Sequence, residues 1–180
     1  MELAKDIKDS LQRCGIRRDM DVSQLNFAKK NLCCVPDLLR FRFLRKLWLN
    51  NNKIRELSCH SLNCCLTELY LQNNNIKSVT GALNHLTCLQ LLFLHNNQIR
   101  GLEDTVRELR RMQQLRNATF FLNPASHEPG YRDYVIHCLP SIEVLDRKEV
   151  KPAERRRSLH IYNQDHLRVL QSVAFGRHIT

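Results

Sequence analysis

The sequence predicts an α/β fold, a solenoid with a curved parallel sheet on one side and short helical segments on the other. Three observations predict it. The pattern L-x-x-L-x-L-x-x-N-x-I recurs as LRKLWLNNNKI from Leu44, LTELYLQNNNI from Leu66 and LQLLFLHNNQI from Leu89, with a degenerate copy, LRNATFFLNP, from Leu115. The spacing is regular: the second consensus leucine falls at Leu47, Leu69 and Leu92, then at Ala118, in steps of 22, 23 and 26 residues. One further step of 22 back reaches Leu25, where Val22, Phe27, Leu32 and Val35 complete the apolar set of a fifth, N-terminal copy. Lys30 takes the asparagine slot there and marks an edge repeat.

Each copy opens with a short strand. Side chains alternate along a strand, so the consensus leucines point to one interior and the residues between them to the opposite face. No single copy can bury its apolar side; stacking parallel strands builds one continuous core. This is the leucine-rich repeat pattern, and the fold class is a leucine-rich repeat solenoid. Asn52, Asn74, Asn97 and Asn123 share one slot, after the strand. They are expected to form a buried structural ladder whose amides satisfy backbone groups in the bend.

Repeats of 22 or 23 residues leave room only for short helical turns on the convex side. The 26-residue step admits a true helix over Glu103–Leu115, with Thr105 and Glu108 suited to a capping box and Val106, Leu109 and Met112 at helical spacing opposite Arg107, Arg110 and Arg111. Both ends of the stack need a seal. At the front, Glu2–Cys14 reads as an amphipathic helix with Leu3, Ile7 and Leu11 on one stripe, stopped by Gly15. At the back, YRDYVIHCLPSIEVLDRKEV from Tyr131 reads as a closing helix with Tyr134, Val135, Cys138 and Leu139 inward, then a last strand in IEVLD. Pro152 can start a further helix, through Glu154–Tyr162 and Gln164–Phe175. The domain reading is a capping helix over 1–20, five repeats over 21–126, a C-terminal cap over 127–150 and a basic helical tail over 151–180.

Met1–Lys8 is too polar for a secretion signal, and no apolar run approaches the ~20 residues of a membrane span. A soluble cytoplasmic chain with no membrane partner is expected. The eight cysteines (14, 33, 34, 59, 64, 65, 88 and 138) are scattered, without a C-x-x-C pair, so buried or half-buried free thiols are expected. Cys65 and Cys88 each precede a repeat's first leucine and should sit on neighbouring rungs. Half of the net charge of +10 falls in residues 147–180, which hold eight basic and three acidic residues. Such a tail can meet RNA or an acidic protein surface.

The binding signal lies in the variable slots. Between the last two strand leucines stand Asn26, Trp48, Tyr70, Phe93 and Thr119, with Phe121 two places further on. Trp48, Tyr70 and Phe93 are expected to form an exposed aromatic column on the concave face, with rings in reach of one another because parallel strands lie ~4.8 Å apart. Lys46, Glu68 and Leu91 flank them. Aromatic rings outside the core are binding anchors, which points to a protein partner. Nucleic acid is disfavoured because a groove for it would carry more cations than Lys46 and Arg45, offset by Glu68. In the tail, Val169, Leu170, Val173 and Phe175 are too apolar to stay bare and form a second candidate partner surface. Asn117-Ala118-Thr119 fits a glycosylation pattern but falls in a predicted strand, and His127 with Glu128 lacks a nucleophile or metal partner. No catalytic residue, metal site, cofactor or small-molecule substrate is expected.

The segment from NP through YRDYVIHCLPSIEVLDRKEV, with the repeats before it, resembles intracellular leucine-rich repeat proteins that end in a dedicated C-terminal cap. That group includes a phosphatase regulator, a light chain of outer-arm dynein and a spliceosomal ribonucleoprotein subunit. IYNQDHLRVLQSVAFGR after ERRRS resembles the tail of a cilium-associated member. The resemblance implies a non-enzymatic scaffold or adaptor in a large, axonemal assembly. A nuclear ribonucleoprotein subunit or a phosphatase regulatory subunit is the alternative.

Overall fold

The computed structural model describes residues 2–175, with side chains over 4–173. Strands β1 (Gln24–Asn26), β2 (Lys46–Trp48), β3 (Glu68–Tyr70), β4 (Leu91–Phe93), β5 (Asn117–Thr119) and β6 (Val144–Leu145) pair in parallel in chain order. β7 (Lys148–Glu149) folds back antiparallel on β6 and closes the seven-stranded sheet. The register stacks Leu25, Leu47, Leu69, Leu92, Ala118 and Leu145 in one column. All six are buried, Leu25 at 6% exposure and the other five fully. The sequence-predicted frame and its leucine core are therefore present.

The asparagine ladder forms as expected. Asn97 donates to the Leu71 and Leu94 carbonyls, both at 3.0 Å, and its Oδ1 accepts from the Ile76 N–H at 3.0 Å. Asn52, Asn74 and Asn123 repeat the same three-way bridge between rungs. The residue before each of the first three bends sharply: Asn51, Asn73 and Asn96 have φ of 57°, 58° and 54°. Asparagine tolerates this left-handed conformation better than other residues with a Cβ. Their side chains also form an outer ladder, Asn73 donating to Asn51 and Asn96 to Asn73, each at 2.8 Å.

Leu122 occupies that bend in the fifth rung, with φ 57° and 60% exposure. Leu122→Asn relieves the backbone cost and offers a donor to Asn96 Oδ1. It is expected to stabilise the fold by ~1 kcal/mol. The urea midpoint should rise with an unchanged slope; an unchanged midpoint would contradict this reading of the bend.

The convex side meets expectation in the short repeats and departs from it in the long one. The short repeats carry no helix there, only successive turns such as Phe41 N to Leu38 O at 3.0 Å and Leu44 N to Phe41 O at 3.1 Å. The expected helix over Glu103–Leu115 is α2 (Leu102–Leu109), and the chain leaves it through a turn closed by Met112 N to Leu109 O. The capping box is absent. Thr105 Oγ1 donates back to the Gly101 carbonyl at 2.6 Å, and the buried Glu108 carboxylate reaches the preceding rung instead, accepting from the Gly81, Leu83 and Asn84 N–H groups. Three otherwise unpaired amides outweigh one local cap.

The front helix α1 (Glu2–Arg13) buries Ile7 and half-buries Leu11; the Leu3 side chain lies outside the described residues. Gly15, at φ 70°, ends it: Gly15 N reaches Gln12 O and Ile16 N reaches Leu11 O, the paired bonds of a Schellman cap. At the back, α3 (Tyr131–Cys138) turns Val135 and Leu139 inward as expected. Its core is completed by Tyr131 and Ile136, while Tyr134 and Cys138 stay half-buried. Asp146 terminates the ladder, accepting from the Phe120 and Phe121 N–H groups and from the Tyr131 hydroxyl. The tail is one continuous helix, α4 (Pro152–Phe175), and not two segments.

The eight cysteines are free thiols. Cys59, Cys65, Cys88 and Cys138 are half-buried, but Cys14, Cys33, Cys34 and Cys64 are exposed, because they fall in convex turns and linkers rather than in consensus slots. Burial, with Cys64 and Cys88 beside it, pushes the Cys65 thiol up.

Candidate functional site

The strand register sets Asn26, Trp48, Tyr70, Phe93 and Thr119 side by side. Their neighbours in sequence are inward-facing core residues, leucines on both sides of Trp48, Tyr70 and Phe93, so these positions look toward the concave face. Trp48 stacks on Tyr70 with centroids 5.2 Å apart and planes 5° apart, and Phe93 meets Tyr70 edge-on at 5.4 Å and 89°. The expected column is present. Its rings are half-buried rather than exposed, because each covers part of the next.

Beyond Phe93 the band turns. The next strand offers Thr119, which is buried, and its hydroxyl shares a 2.7 Å hydrogen bond with His95 Nδ1. His95 lies 5.9 Å from Phe93 and stacks on Phe121 at 4.4 Å and 8°. The Arg147 guanidinium sits over Phe121, 4.8 Å from its centroid. Trp48, Tyr70, Phe93, His95 and Phe121 thus make one continuous aromatic band, closed at its C-terminal end by a cation.

The band is electrically quiet. Burial, and next the Arg147 charge, hold the His95 imidazole below its usual range, with Asp146 pulling the other way. Burial and the hydrogen bond to Glu68 push the Tyr70 hydroxyl up to about 12, so it stays protonated and donates to Glu68 Oε2 at 2.8 Å. Lys46 pairs with Glu68 Oε1 at 3.1 Å. Lys46 and Glu68 therefore neutralise one another and fix Tyr70. Leu91 is half-buried beside them.

Sequence reasoning left out His95 and Arg147. The slot after the last strand leucine, occupied by Asn50, Gln72, His95 and Phe121, was readable as a second concave column. Arg147 was not, because only the β6–β7 hairpin brings it over Phe121. Asn50 Oδ1 and Gln72 Oε1 in that column are buried without a hydrogen-bond partner among the described residues. At the other end, Trp48 forms one wall of a groove of about 420 Å³ beneath α1, lined also by Leu25, Phe27, Ile7, Leu11 and Ile16.

The tail candidate divides in two. Near its start α4 is anchored on α3: Arg132 pairs with Glu154 at 2.7 Å, Arg157 with Asp133 at 2.7 Å, and Tyr162 stacks on His137 at 4.7 Å. Further on, Leu167, Val169, Leu170 and Val173 are 49–77% exposed. The side chain of Phe175 lies outside the described residues. The Arg132 hydrogen bond holds the Glu154 carboxyl down at about 2, from an ordinary value of 4.5. A depressed carboxylate contributes stability above its unfolded value and loses it as pH falls toward the folded one. Between about pH 4.5 and 2, wild type should lose stability more steeply than Glu154→Gln in thermal unfolding; superimposable profiles would contradict this anchor.

Among the described residues no cluster of histidine, cysteine or acidic side chains could hold a metal, and no helix is long and apolar enough to cross a membrane. His127 and Glu128 stand exposed at the end of a short 3-10 turn.

A family model described as leucine-rich repeat matches residues 37–174. The chain belongs to the leucine-rich repeat family. Among curated leucine-rich repeat relatives it is 34% identical to the U2 small nuclear ribonucleoprotein A' of Saccharomyces cerevisiae, over 78% of this chain and 49% of that protein. It is 41% identical to the human Centrosomal protein of 72 kDa, over 81% of this chain and 23% of that protein. Leucine-rich repeat-containing protein 51 of Bos taurus is 33% identical over 62% of each chain. The chain thus spans about half or less of the length of the first two. The crystal structure of the Drosophila melanogaster SNF/U2A' complex contains a chain similar in fold, with a TM-score of 0.69 and 22% identity over 83% of this chain and 87% of that one.

Proposed function

We propose that this leucine-rich repeat protein is a non-catalytic scaffold that grips a protein partner on its concave aromatic band, in an assembly of the ciliary axoneme. The band itself carries the reading. Five rings in contact, in a concavity that the leucine core does not need, form an anchor surface of the kind that dominates protein interfaces. The face has one internally paired cation in Lys46 and one in Arg147 that is committed to Phe121, which is little charge for a phosphate backbone. The free half of α4 supplies a second contact through Val169, Leu170 and Val173.

The cellular setting rests on relatives. One is named as centrosomal, and the tail resembles that of leucine-rich repeat-containing protein 72, a cilium-associated protein. The similarity to a U2 ribonucleoprotein subunit, and the fold shared with a chain of the SNF/U2A' complex, favour a nuclear ribonucleoprotein role as the second reading. Immunolocalisation in ciliated cells separates the two. The axonemal reading expects wild-type signal along the cilium or at its base, insensitive to ribonuclease. A nuclear signal released by ribonuclease would replace it with the second.

A further inference from the structure

We infer that a second face of the solenoid, away from the aromatic band, binds an acidic peptide segment through a ladder of cations. Arg55, Lys77 and Arg100 each follow the buried isoleucine of successive repeats: Ile54, Ile76 and Ile99. Backbone bonds lock these segments together, Asn75 N to Ile54 O and Gln98 N to Ile76 O, each at 2.9 Å. The three cations therefore stand on neighbouring rungs about 5 Å apart. All three are exposed, and none makes an ion pair among the described residues.

This like-charge stack departs from how charge is placed along the sheet. Where charged residues meet across rungs elsewhere they alternate in sign, Lys46 against Glu68 and Arg116 against Glu143. Like charges on adjacent rungs repel, as they do on adjacent strands. A ladder of them gains from an external anion. Between the first two rungs it borders a groove of about 480 Å³, whose lining adds the Ser78 and Thr80 hydroxyls and one acid, Glu56.

The length of the ladder selects the ligand. Two rung steps span about 10 Å, which an extended chain covers in about three residues. A short run of glutamate or aspartate therefore matches it end to end. No aromatic residue lines the groove, so nucleic-acid bases would find no stacking platform there, and three cations are few for a nucleic-acid backbone.

The test is fluorescence anisotropy of the full chain with a labelled peptide of consecutive glutamates, beside its glutamine counterpart. Binding of the glutamate peptide alone is expected, weakening as salt rises from about 50 to about 200 mM. Arg55→Gln/Lys77→Gln/Arg100→Gln should weaken it about tenfold, the combined effect of three exposed ion pairs. Arg155→Gln/Arg156→Gln/Arg168→Gln in the tail should leave it unchanged, and circular dichroism should show both variants folded. Equal binding by the ladder variant, equal binding of the glutamine peptide, or stronger competition by a single-stranded RNA of similar length would each overturn the inference. If Arg55→Gln/Lys77→Gln/Arg100→Gln fails to fold, the single variant Lys77→Gln carries the test and should weaken binding about twofold.

Discussion

Trp48→Ala with Tyr70→Ala is expected to weaken partner binding by about 100-fold or more, the range of a central aromatic hot spot. The two rings stack face to face at 5.2 Å, so each is the platform of the other, and loss of both removes two of the band's five rings. The fold should survive. Neither residue belongs to the leucine column, and Leu47 and Leu69 beside them stay buried. The check is titration calorimetry against the partner, with urea unfolding of the same preparations. Unchanged affinity in a folded double variant would move the site to the α4 surface. Arg147→Ala should have a smaller effect, since it ends the band without forming its floor.

Asn97→Ala is expected to cost ~3 kcal/mol or more of stability. It removes one amide that serves three buried backbone groups, the Leu71 and Leu94 carbonyls and the Ile76 N–H. Each buried group left unpaired costs ~1–3 kcal/mol, and the loss cannot be repaired from water because the bend is closed. Asn97→Asp should fare little better, since a carboxylate accepts but does not donate. Urea unfolding with the linear extrapolation gives the number; a loss below ~1 kcal/mol would mean that the ladder is not what closes the bends.

These two expectations rest on different depths of the sequence. The leucine and asparagine slots were legible because they repeat: the same physical demand, an inward side chain or an amide in a bend, recurs every 22 or 23 residues. The Trp48–Tyr70–Phe93 column was legible for the same reason, as the residue between two inward leucines must face outward. What repeats could not convey was long-range pairing by single residues. Glu108 looks like a local cap, yet it spends its carboxylate on amides 24 to 27 residues earlier. Asp146 closes the ladder from outside the repeats, and Arg147 reaches Phe121 only because a tight hairpin follows β6. The turn of the band from Phe93 to His95 likewise depends on Thr119 being buried, a consequence of the degenerate fifth copy.

The same distinction applies to the tail. Its apolar residues and its basic start were readable, but the joint between them was not. Arg132 and Asp133 of α3 select Glu154 and Arg157, which anchors the first turns of α4 and leaves Leu167 to Val173 projecting. The molecule therefore presents a concave band on its rigid sheet and an apolar helix face beyond the cap.

Site-directed photocrosslinking in cells tests the concave site most directly. A photoreactive side chain introduced at Tyr70 or Phe93 should capture a protein in a single discrete adduct, while the same group at Arg111, on the convex side, should capture none. Adducts from position 111 with none from 70 or 93 would contradict the assignment of the aromatic band as the partner surface.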